Sequence, residues 1–289
     1  MRNVAIVPVV REPEDSIYTC KAVQQFIKNG VTVWMENVHN GEPYTDNVVL
    51  AQGDSVFKNA ELIVVLGGDG TILRAAEQAL NYNLPILGIN LGRVGYMAEL
   101  EKDELCLIDN IFSGEYHIEN RMILSIYSVD KNDKTLHIGD VLNDVIVSKG
   151  NYSRCIDIDL RADDKPVRSI RGDGLIIATP TGSTAYSMSA GGSVLDPTLE
   201  CICATPIVPI SRYACPLIFS GNSVLEVVHN DDRAEQLSIV LDGVIKHYMA
   251  TGEKIVVKKA DKFVKMLSLK DEGFFETLNN KISKYELKK

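Results

Sequence analysis

Residues 61–80 read ELIVVLGGDGTILRAAEQAL and combine three patterns in succession. Residues 62–66 form a short, β-branched apolar run of the kind found in strands buried on both faces, and the glycines of residues 67–71 interrupt it. Residues 72–80 then have the apolar spacing of a helix. A strand, a glycine turn and a helix together present backbone N–H groups and a helix N-terminus to an anion. The segment therefore predicts an α/β unit with a phosphate-binding turn.

Asp69 is the unexpected residue of this turn, because a carboxylate repels a phosphate at close range. An acid here is expected if it faces a hydroxyl group, as a general base or a ribose anchor beside a phosphoryl donor. The alternative interpretation is structural: a tight turn in which Asp69 only caps the helix. The turn alone leaves both interpretations open.

The composition restricts the class of protein. A chain of 289 residues has room for two domains, and 45% hydrophobic with 24% charged residues is typical of a soluble globular protein. The net charge of -9 argues against a nucleic-acid or acidic-membrane partner, and no apolar run approaches the roughly 20 residues that span a bilayer. Six cysteines without a CxxC pair indicate reduced thiols, and five histidines show no metal spacing. We therefore expect a cytoplasmic protein with no metal site of its own.

The first third of the chain alternates strand and helix patterns, with strands predicted at residues 3–10, 31–35, 62–66 and 84–90. This alternation predicts an open parallel α/β sheet of the Rossmann type, whose ligands lie beyond the carboxyl ends of the strands. After the fourth strand, Arg93 is positioned to meet a phosphate, and Tyr96 offers a flat ring to a base or packs in the core.

From about residue 121 the pattern changes to strands without intervening helices. Ile156, Ile158 and Leu160 alternate with Asp157 and Asp159, which is typical of an antiparallel strand with one solvent-exposed face. The sequence therefore predicts a second, mostly antiparallel β domain.

The domain organisation follows from these patterns. We predict an α/β domain over residues 1–118, a β-rich domain over 119–268, and a helix within 269–289 that returns to the first domain. The lysines of residues 281–289 are expected on a solvated face.

The second informative stretch covers residues 171–187 and reads RGDGLIIATPTGSTAYS. An apolar strand runs directly into a loop of threonine, glycine and serine. Hydroxyl and N–H groups at this density suit a ligand rich in amide, ribose and adenine edges. The alternative is a serine- and threonine-rich turn that caps a helix.

Taken in order, these segments resemble the NAD kinase family over nearly the whole chain. The matching segments are GGDGT at 67–71, GIN at 88–90 followed by Gly92, Gly95 and Tyr96, LND at 142–144, DG at 173–174, TPTGSTAYS at 179–187 and AGG at 190–192. The first is shared with lipid kinases and phosphofructokinases, whereas the long stretch from 173 to 192 is specific.

The resemblance implies an enzyme that phosphorylates the 2′-hydroxyl of the adenosine ribose of NAD, using ATP or polyphosphate and Mg²⁺ carried by the nucleotide. It implies that Asp69 is the general base. The positions that it implies for binding NAD or the phosphoryl donor are Gly67, Gly68, Gly70, Thr71, Tyr96, Asn143, Asp144, Arg171, Asp173, Thr181, Thr184, Ala185, Tyr186 and Ser189. Independently of the resemblance, an arginine near the glycine turn, Arg74 or Arg93, is expected to stabilise the transferred phosphoryl charge. The two surfaces would enclose NAD in an interdomain cleft.

Asp144 and two other positions depart from the family pattern. Asp144 stands where the family has the longer glutamate, while Ile210 and Cys215 replace a histidine and an arginine. Asp242 is a further expected contact. In the family, the residue that matches Asp173 often reaches a neighbouring subunit, which implies a homodimer or homotetramer.

Two other functions remain open at this point. A lipid or diacylglycerol-type kinase would share the first glycine turn, although no membrane-docking stretch is evident. A non-catalytic NAD sensor on the same fold is the second alternative, and Asp69 argues against it because a pure binder needs no base.

Overall fold

The computed structural model describes residues 1–9, 13–36, 47–92, 95–150, 154–229, 236–271 and 273–286, so that Arg93 lies outside the described residues. The chain divides into two compact units. The first comprises Met1–Asn120 with Val264–Lys289, and the second comprises Arg121–Phe263.

The first unit begins with alternating strands and helices: β1 (Asn3–Pro8), α1 (Pro13–Lys28), β2 (Thr32–Glu36), β3 (Val48–Ala51), β4 (Leu62–Gly67), α2 (Asp69–Tyr82), β5 (Pro85–Asn90), β6 (Leu100–Glu101) and α3 (Asp109–Ser113). The strands pair in parallel in the order β3, β2, β1, β4, β5, and β6 pairs with the end of β5. Every residue of β4 is buried, which confirms the prediction from its unbroken apolar run.

The second unit contains the β-rich part of the chain: β7 (His117–Val129), β8 (Thr135–Val141), β9 (Asp144–Ser148), β10 (Ile156–Ala162), β11 (Lys165–Gly172), β12 (Gly174–Ala178), α4 (Tyr186–Ser189), β13 (Cys201–Ile207), β14 (Leu217–Ser220), β15 (Leu225–His229), β16 (Gln236–Leu241), β17 (Val244–Ala250) and β18 (Lys254–Ser268). The boundaries between the units fall inside β7 and inside β18.

The strands of the second unit pair antiparallel in two sheets. One has the order β14, β13, β12, β9, β16, β17, and the other contains β11, β10, β15 and the first part of β18. Apolar residues from both sheets form one core, to which β9 contributes Val145 and Val147 and β10 contributes Ile156, Ile158 and Leu160. This alternation in β10 confirms the predicted strand with one buried face.

The final segment belongs to the first unit. Residues 265–266 of β18 pair in parallel with β5, and α5 (Phe274–Glu286) follows. The carboxylate Oε1 of Glu99 accepts hydrogen bonds from the Ser268 hydroxyl and from the N–H groups of Leu269 and Lys270, at 2.7 to 3.0 Å. The predicted fold class, a parallel α/β unit with an antiparallel β unit and a C-terminal helix, is confirmed.

The exposed and buried faces of α5 differ in part from the expectation. Leu278 is buried, but Phe275 is 53% exposed. Lys281 was expected on a solvated face and this was wrong, because its side chain is only 9% exposed and its Nζ donates to the Ala98 carbonyl at 3.1 Å.

All six cysteines are free thiols, and Cys201 and Cys203 lie two residues apart on β13. None of the helices in the described part of the chain is long and apolar enough to cross a membrane.

Candidate active site

The glycine turn of the first unit joins the buried end of β4 to the N-terminus of α2. A side chain at Gly67 would bring its Cβ to 2.6 Å from the Thr71 hydroxyl oxygen, so the residue must be glycine for the turn to close. A Cβ at Gly68 or at Gly70 would meet nothing within 4 Å. The main chain of these two residues is therefore open to a ligand, as the phosphate-binding prediction requires.

Asp69 is the first residue of α2, and the structural interpretation that it caps the helix is wrong. The residue at the N-cap is Gly68, and no side chain caps this end. The Asp69 carboxylate instead accepts hydrogen bonds from two backbone groups of a later loop: Oδ2 from the Tyr96 N–H at 2.9 Å and Oδ1 from the Met97 N–H at 3.1 Å. Each carboxylate oxygen keeps a lone pair free for a further partner.

The loop that holds Asp69 is closely fitted to it. A Cβ at Gly95 would lie 3.0 Å from Asp69 Oδ1, so only glycine lets the backbone approach this carboxylate without a shift. Tyr96 is half-buried, and the group that it contributes to Asp69 is its main-chain N–H. The geometry fixes the carboxylate orientation, which is what a general base requires.

Arg74 lies one turn into α2 with its side chain exposed. Its Nη2 is 3.3 Å from the Thr71 hydroxyl oxygen, which keeps the guanidinium beside the glycine turn. The cation therefore adds to the positive end of the helix, where an anion is favoured.

In the second unit, the segment that carries Asn143 and Asp144 is held by Asp242. The Asp242 carboxylate accepts hydrogen bonds from the N–H groups of Leu142 and Asn143, each at 2.9 Å, and of Asp144 at 3.1 Å. Asp242, which was expected as a contact, is thus engaged in shaping the main chain of this segment.

Asp144 and Asp242 form a buried acidic pair. Burial first, and then the negative charge of Asp242, raise the pKa of Asp144 to about 7. Burial also raises the pKa of Asp242, and its three N–H donors oppose that shift because they favour the carboxylate. Asp144 therefore changes its protonation state near neutral pH.

The threonine- and serine-rich loop packs directly on this segment. A Cβ at Gly182 would lie 2.1 Å from the Asn143 carbonyl oxygen. Thr179 joins the two chains: its N–H donates to the Asn143 carbonyl at 2.9 Å, and its hydroxyl donates to the Leu142 carbonyl at 2.5 Å and accepts from the Gly182 N–H at 3.0 Å. The two loops form one cross-linked body.

Two polar atoms on this body are buried without a partner among the described residues, Asn143 Oδ1 and Thr181 Oγ1. Buried polar atoms in native proteins are nearly always hydrogen-bonded to protein or to ordered water, so these two atoms call for a partner beyond the described protein groups. The turn interpretation holds for Ser183 and Thr184, whose hydroxyls donate to the carbonyls of Pro180 and Thr181. It does not account for the Thr181 hydroxyl.

Of the remaining predicted positions, Ala185, Tyr186 and Ser189 follow the Thr179 loop, whereas Arg171 and Asp173 lie at the opposite end of β12, where Gly174 pairs with Ser148. Ala185 is half-buried, Tyr186 is 45% exposed and Ser189 is exposed on α4. Asp173 follows β11, and its Oδ1 lies 2.7 Å from the Lys149 ammonium. Arg171 is exposed, with its Nε 3.7 Å from Asp157.

The structure thus gathers most of the predicted residues in two groups, and leaves Arg171 and Asp173 outside both. Gly67 to Arg74 and Tyr96 meet in the first unit, and Asn143 and Asp144 meet the Thr179 loop in the second. Sequence reasoning did not single out Thr179 as the link between the two loops or Lys149 as the partner of Asp173, because these contacts are made with residues distant in the sequence. Among the described residues, no three His, Cys, Asp or Glu side chains converge on a common point.

Two family models match the chain. The ATP-NAD kinase N-terminal domain matches residues 12–116, and the ATP-NAD kinase C-terminal domain matches residues 142–269. The first match contains the glycine turn, and the second contains the Asn143 segment and the Thr179 loop.

Curated relatives extend the match to almost the full length. The chain is 33% identical over 286 residues to an NAD kinase of Natranaerobius thermophilus, with 98% of each chain covered. It is 34% identical over 280 residues to an NAD kinase of Lachnoclostridium phytofermentans, covering 94% of this chain and 95% of the relative.

Two solved structures have the same fold. An NAD kinase from Archaeoglobus fulgidus in complex with ATP aligns with a TM-score of 0.71 and 26% identity, covering 98% of this chain and 99% of the other. Yeast NADH kinase complexed with NADH aligns with a TM-score of 0.85 and 22% identity, covering 98% of this chain and 88% of the other.

Proposed function

The chain belongs to the NAD kinase family, and on that premise we propose that it phosphorylates the 2′-hydroxyl of the adenosine ribose of NAD with Asp69 as the general base. The observation that supports this role is the pair of backbone hydrogen bonds from Tyr96 and Met97 to the Asp69 carboxylate. They fix the orientation of the carboxylate while leaving acceptor capacity on both oxygens.

Asp69 would accept the proton of the 2′-hydroxyl as that oxygen attacks the terminal phosphorus of the donor. A carboxylate at the end of a phosphate-binding turn is useful for this step only if the ribose hydroxyl lies beside it. The open main chain at Gly68 and Gly70, the N-terminus of α2 and the Arg74 guanidinium would bind the donor phosphates.

The second group of residues would bind NAD. Asn143 Oδ1 and Thr181 Oγ1 are buried without a partner in the described part of the chain, and the hydroxyl and amide edges of a ribose and adenine fit that need. Asp144, Arg171, Asp173, Thr184, Ala185, Tyr186 and Ser189 are the further contacts that we assign to NAD.

Mg²⁺ would accompany the nucleotide. Phosphate oxygens and water are its usual ligands in such enzymes, and the described residues offer no cluster of three acidic, histidine or cysteine side chains. When bound, the ion would neutralise charge on the donor phosphates.

The experiment is NADP formation by the purified protein with NAD and either Mg-ATP or polyphosphate, detected with an NADP-specific dehydrogenase. We expect product with at least one donor. Saturable NAD binding without product from either donor would overturn the proposed kinase activity in favour of a non-catalytic NAD sensor.

We further propose that the protein is a homodimer or homotetramer in the cytoplasm. Six free thiols are typical of a reducing compartment. The segment after β13 also exposes apolar side chains, with Val208 at 72%, Ile210 at 63% and Tyr213 at 88%, and exposed apolar clusters often mark subunit contacts.

A further inference from the structure

Lys281 is a buried lysine that the assigned chemistry does not use. It lies on α5, only 9% exposed, and its Nζ donates a hydrogen bond to the Ala98 carbonyl at 3.1 Å. A buried ammonium is costly unless it is paired with acceptors or with opposite charge. Its neighbours therefore indicate what it does.

The Ala98 carbonyl belongs to the loop that holds Asp69. The Tyr96 and Met97 N–H groups bind the Asp69 carboxylate, and the next residue gives its carbonyl to Lys281. The loop is thus fixed from two sides, by Asp69 on one side and by α5 on the other.

The chain that leads into α5 is tied to the same loop. Glu99 accepts hydrogen bonds from Ser268, Leu269 and Lys270 through a single carboxylate oxygen. Residues 98 and 99 are therefore both anchored to the C-terminal segment by hydrogen bonds, directly beside residues 96 and 97, which bind Asp69.

The charges around Lys281 agree with this connection. Burial lowers the pKa of Lys281 below its ordinary value. Asp69 is the strongest of the charges that favour the ammonium form, followed by Glu101 and Glu99, while Lys270 opposes it. Lys281 is thus close enough to Asp69 for the two charges to interact.

We propose that Lys281 is a positioning residue for Asp69: it holds residues 96–98 in place, and through them the carboxylate that accepts the ribose proton. This inference rests on the proposed role of Asp69 as the base. It assigns a catalytic contribution to a helix more than 180 residues away from Asp69 along the chain.

The test is a double-mutant cycle of Lys281→Met and Asp69→Asn, measured as NADP formation at saturating NAD and donor. We expect Lys281→Met alone to lower kcat at least about tenfold, because a small misplacement of a base is costly. The KM for NAD should stay within about twofold, with one NAD bound per chain by calorimetry. In the Asp69→Asn background, Lys281→Met should cause no further loss, because the group that it positions is absent.

The control is Lys58→Met, which removes an exposed lysine from the first unit and should leave kcat unchanged. Lys281→Gln keeps an N–H donor without the charge and should recover part of the lost rate if the Ala98 contact matters. The proposal is overturned by wild-type kcat in Lys281→Met, by an equal loss in both backgrounds, or by failure of both Lys281 variants to fold.

This design distinguishes a failure of the base assignment of Asp69 from a failure of the positioning role of Lys281. An Asp69→Asn variant as fast as wild type would reject the base itself, whatever Lys281 does. A slow Asp69→Asn variant with a fast Lys281→Met variant would reject only the positioning role.

Discussion

Asp69 and Asp144 are two carboxylates in different surroundings. Asp69 is half-buried and accepts two backbone N–H groups, whereas Asp144 is buried beside Asp242 and has a pKa raised to about 7. The hydrogen bonds that orient the Asp69 carboxylate and the burial of Asp144 suit different chemical roles. We assign proton abstraction to Asp69 and ligand binding to Asp144.

The protonation of Asp144 predicts a pH-dependent stability. Its pKa in the folded protein lies above the ordinary value of 3.8, so the fold favours the neutral acid. The stability that this group contributes is complete below pH ~4 and is lost as the pH rises towards 7. Asp144→Asn imitates the neutral acid and should unfold at least about 3 °C higher than wild type at pH 8, with a smaller difference at pH 5.

The measurement is thermal unfolding of the ligand-free protein at both pH values. Asp261→Asn, which removes an exposed carboxylate, controls for the loss of one charge. If the rise in unfolding temperature caused by Asp144→Asn is larger at pH 5 than at pH 8, the raised pKa of Asp144 is contradicted.

The Asn143 segment and the Thr179 loop form one structural element of the second unit, although 37 residues separate Leu142 from Thr179. Its shape depends on Gly182, whose absent Cβ leaves room for the Asn143 carbonyl. The polar atoms that we assign to NAD keep their positions only if the two loops stay in contact.

Gly182→Ala should separate these loops, because its Cβ would lie 2.1 Å from a backbone oxygen. We expect the KM for NAD to rise at least about tenfold, accompanied by a lower unfolding temperature. Gly273→Ala is the matched control, since a Cβ there meets nothing within 4 Å. A Gly182→Ala enzyme with wild-type KM would show that the loops do not depend on this close contact.

Predictability from sequence also differs between elements. The apolar run of β4 and the alternation of β10 fixed those strands locally, but β3 was missed because its four residues are only partly buried and carry a weak pattern. The last strand, β18, runs without a break from Lys254 to Ser268, because Lys259 to Phe263 continue it through a more exposed stretch.

The site was predictable only where the signal is local. The glycine turn and the Thr179 loop have recognisable sequences, and Asp69 stood out as an acid in a phosphate turn. Asp242 acts on residues 98 to 100 positions away through its main-chain contacts, and Lys281 acts on Ala98 from 183 positions away. No local pattern distinguishes such residues from ordinary surface or core positions.

At the scale of the whole molecule, matches to both domain models and almost full coverage by relatives distinguish this chain from a lipid kinase that shares only the glycine turn. The sequence segments that distinguish the NAD kinase family from lipid kinases lie in the second unit. The family assignment therefore rests on sequence matches in both units, whereas the glycine turn alone identifies neither the nucleotide nor the acceptor.

The proposed assembly also belongs to this scale. Tyr213→Glu places a charge on the most exposed aromatic residue of the segment after β13 and should reduce the mass of the oligomer in light scattering, because a buried charge is costly. Lys262→Glu, a charge change at an exposed position of β18, should leave the mass unchanged. A fully active monomer in the wild-type protein would contradict the assembly.

The role of Asp69 is tested most directly by the kcat of Asp69→Asn for NADP formation, with NAD binding measured on the same preparation. Asparagine keeps the size of the side chain and an acceptor oxygen but cannot take the ribose proton. We predict a loss in kcat of at least about a hundredfold, with the Kd for NAD within a few-fold of wild type. A variant that binds NAD normally and turns over at the wild-type rate would contradict the account.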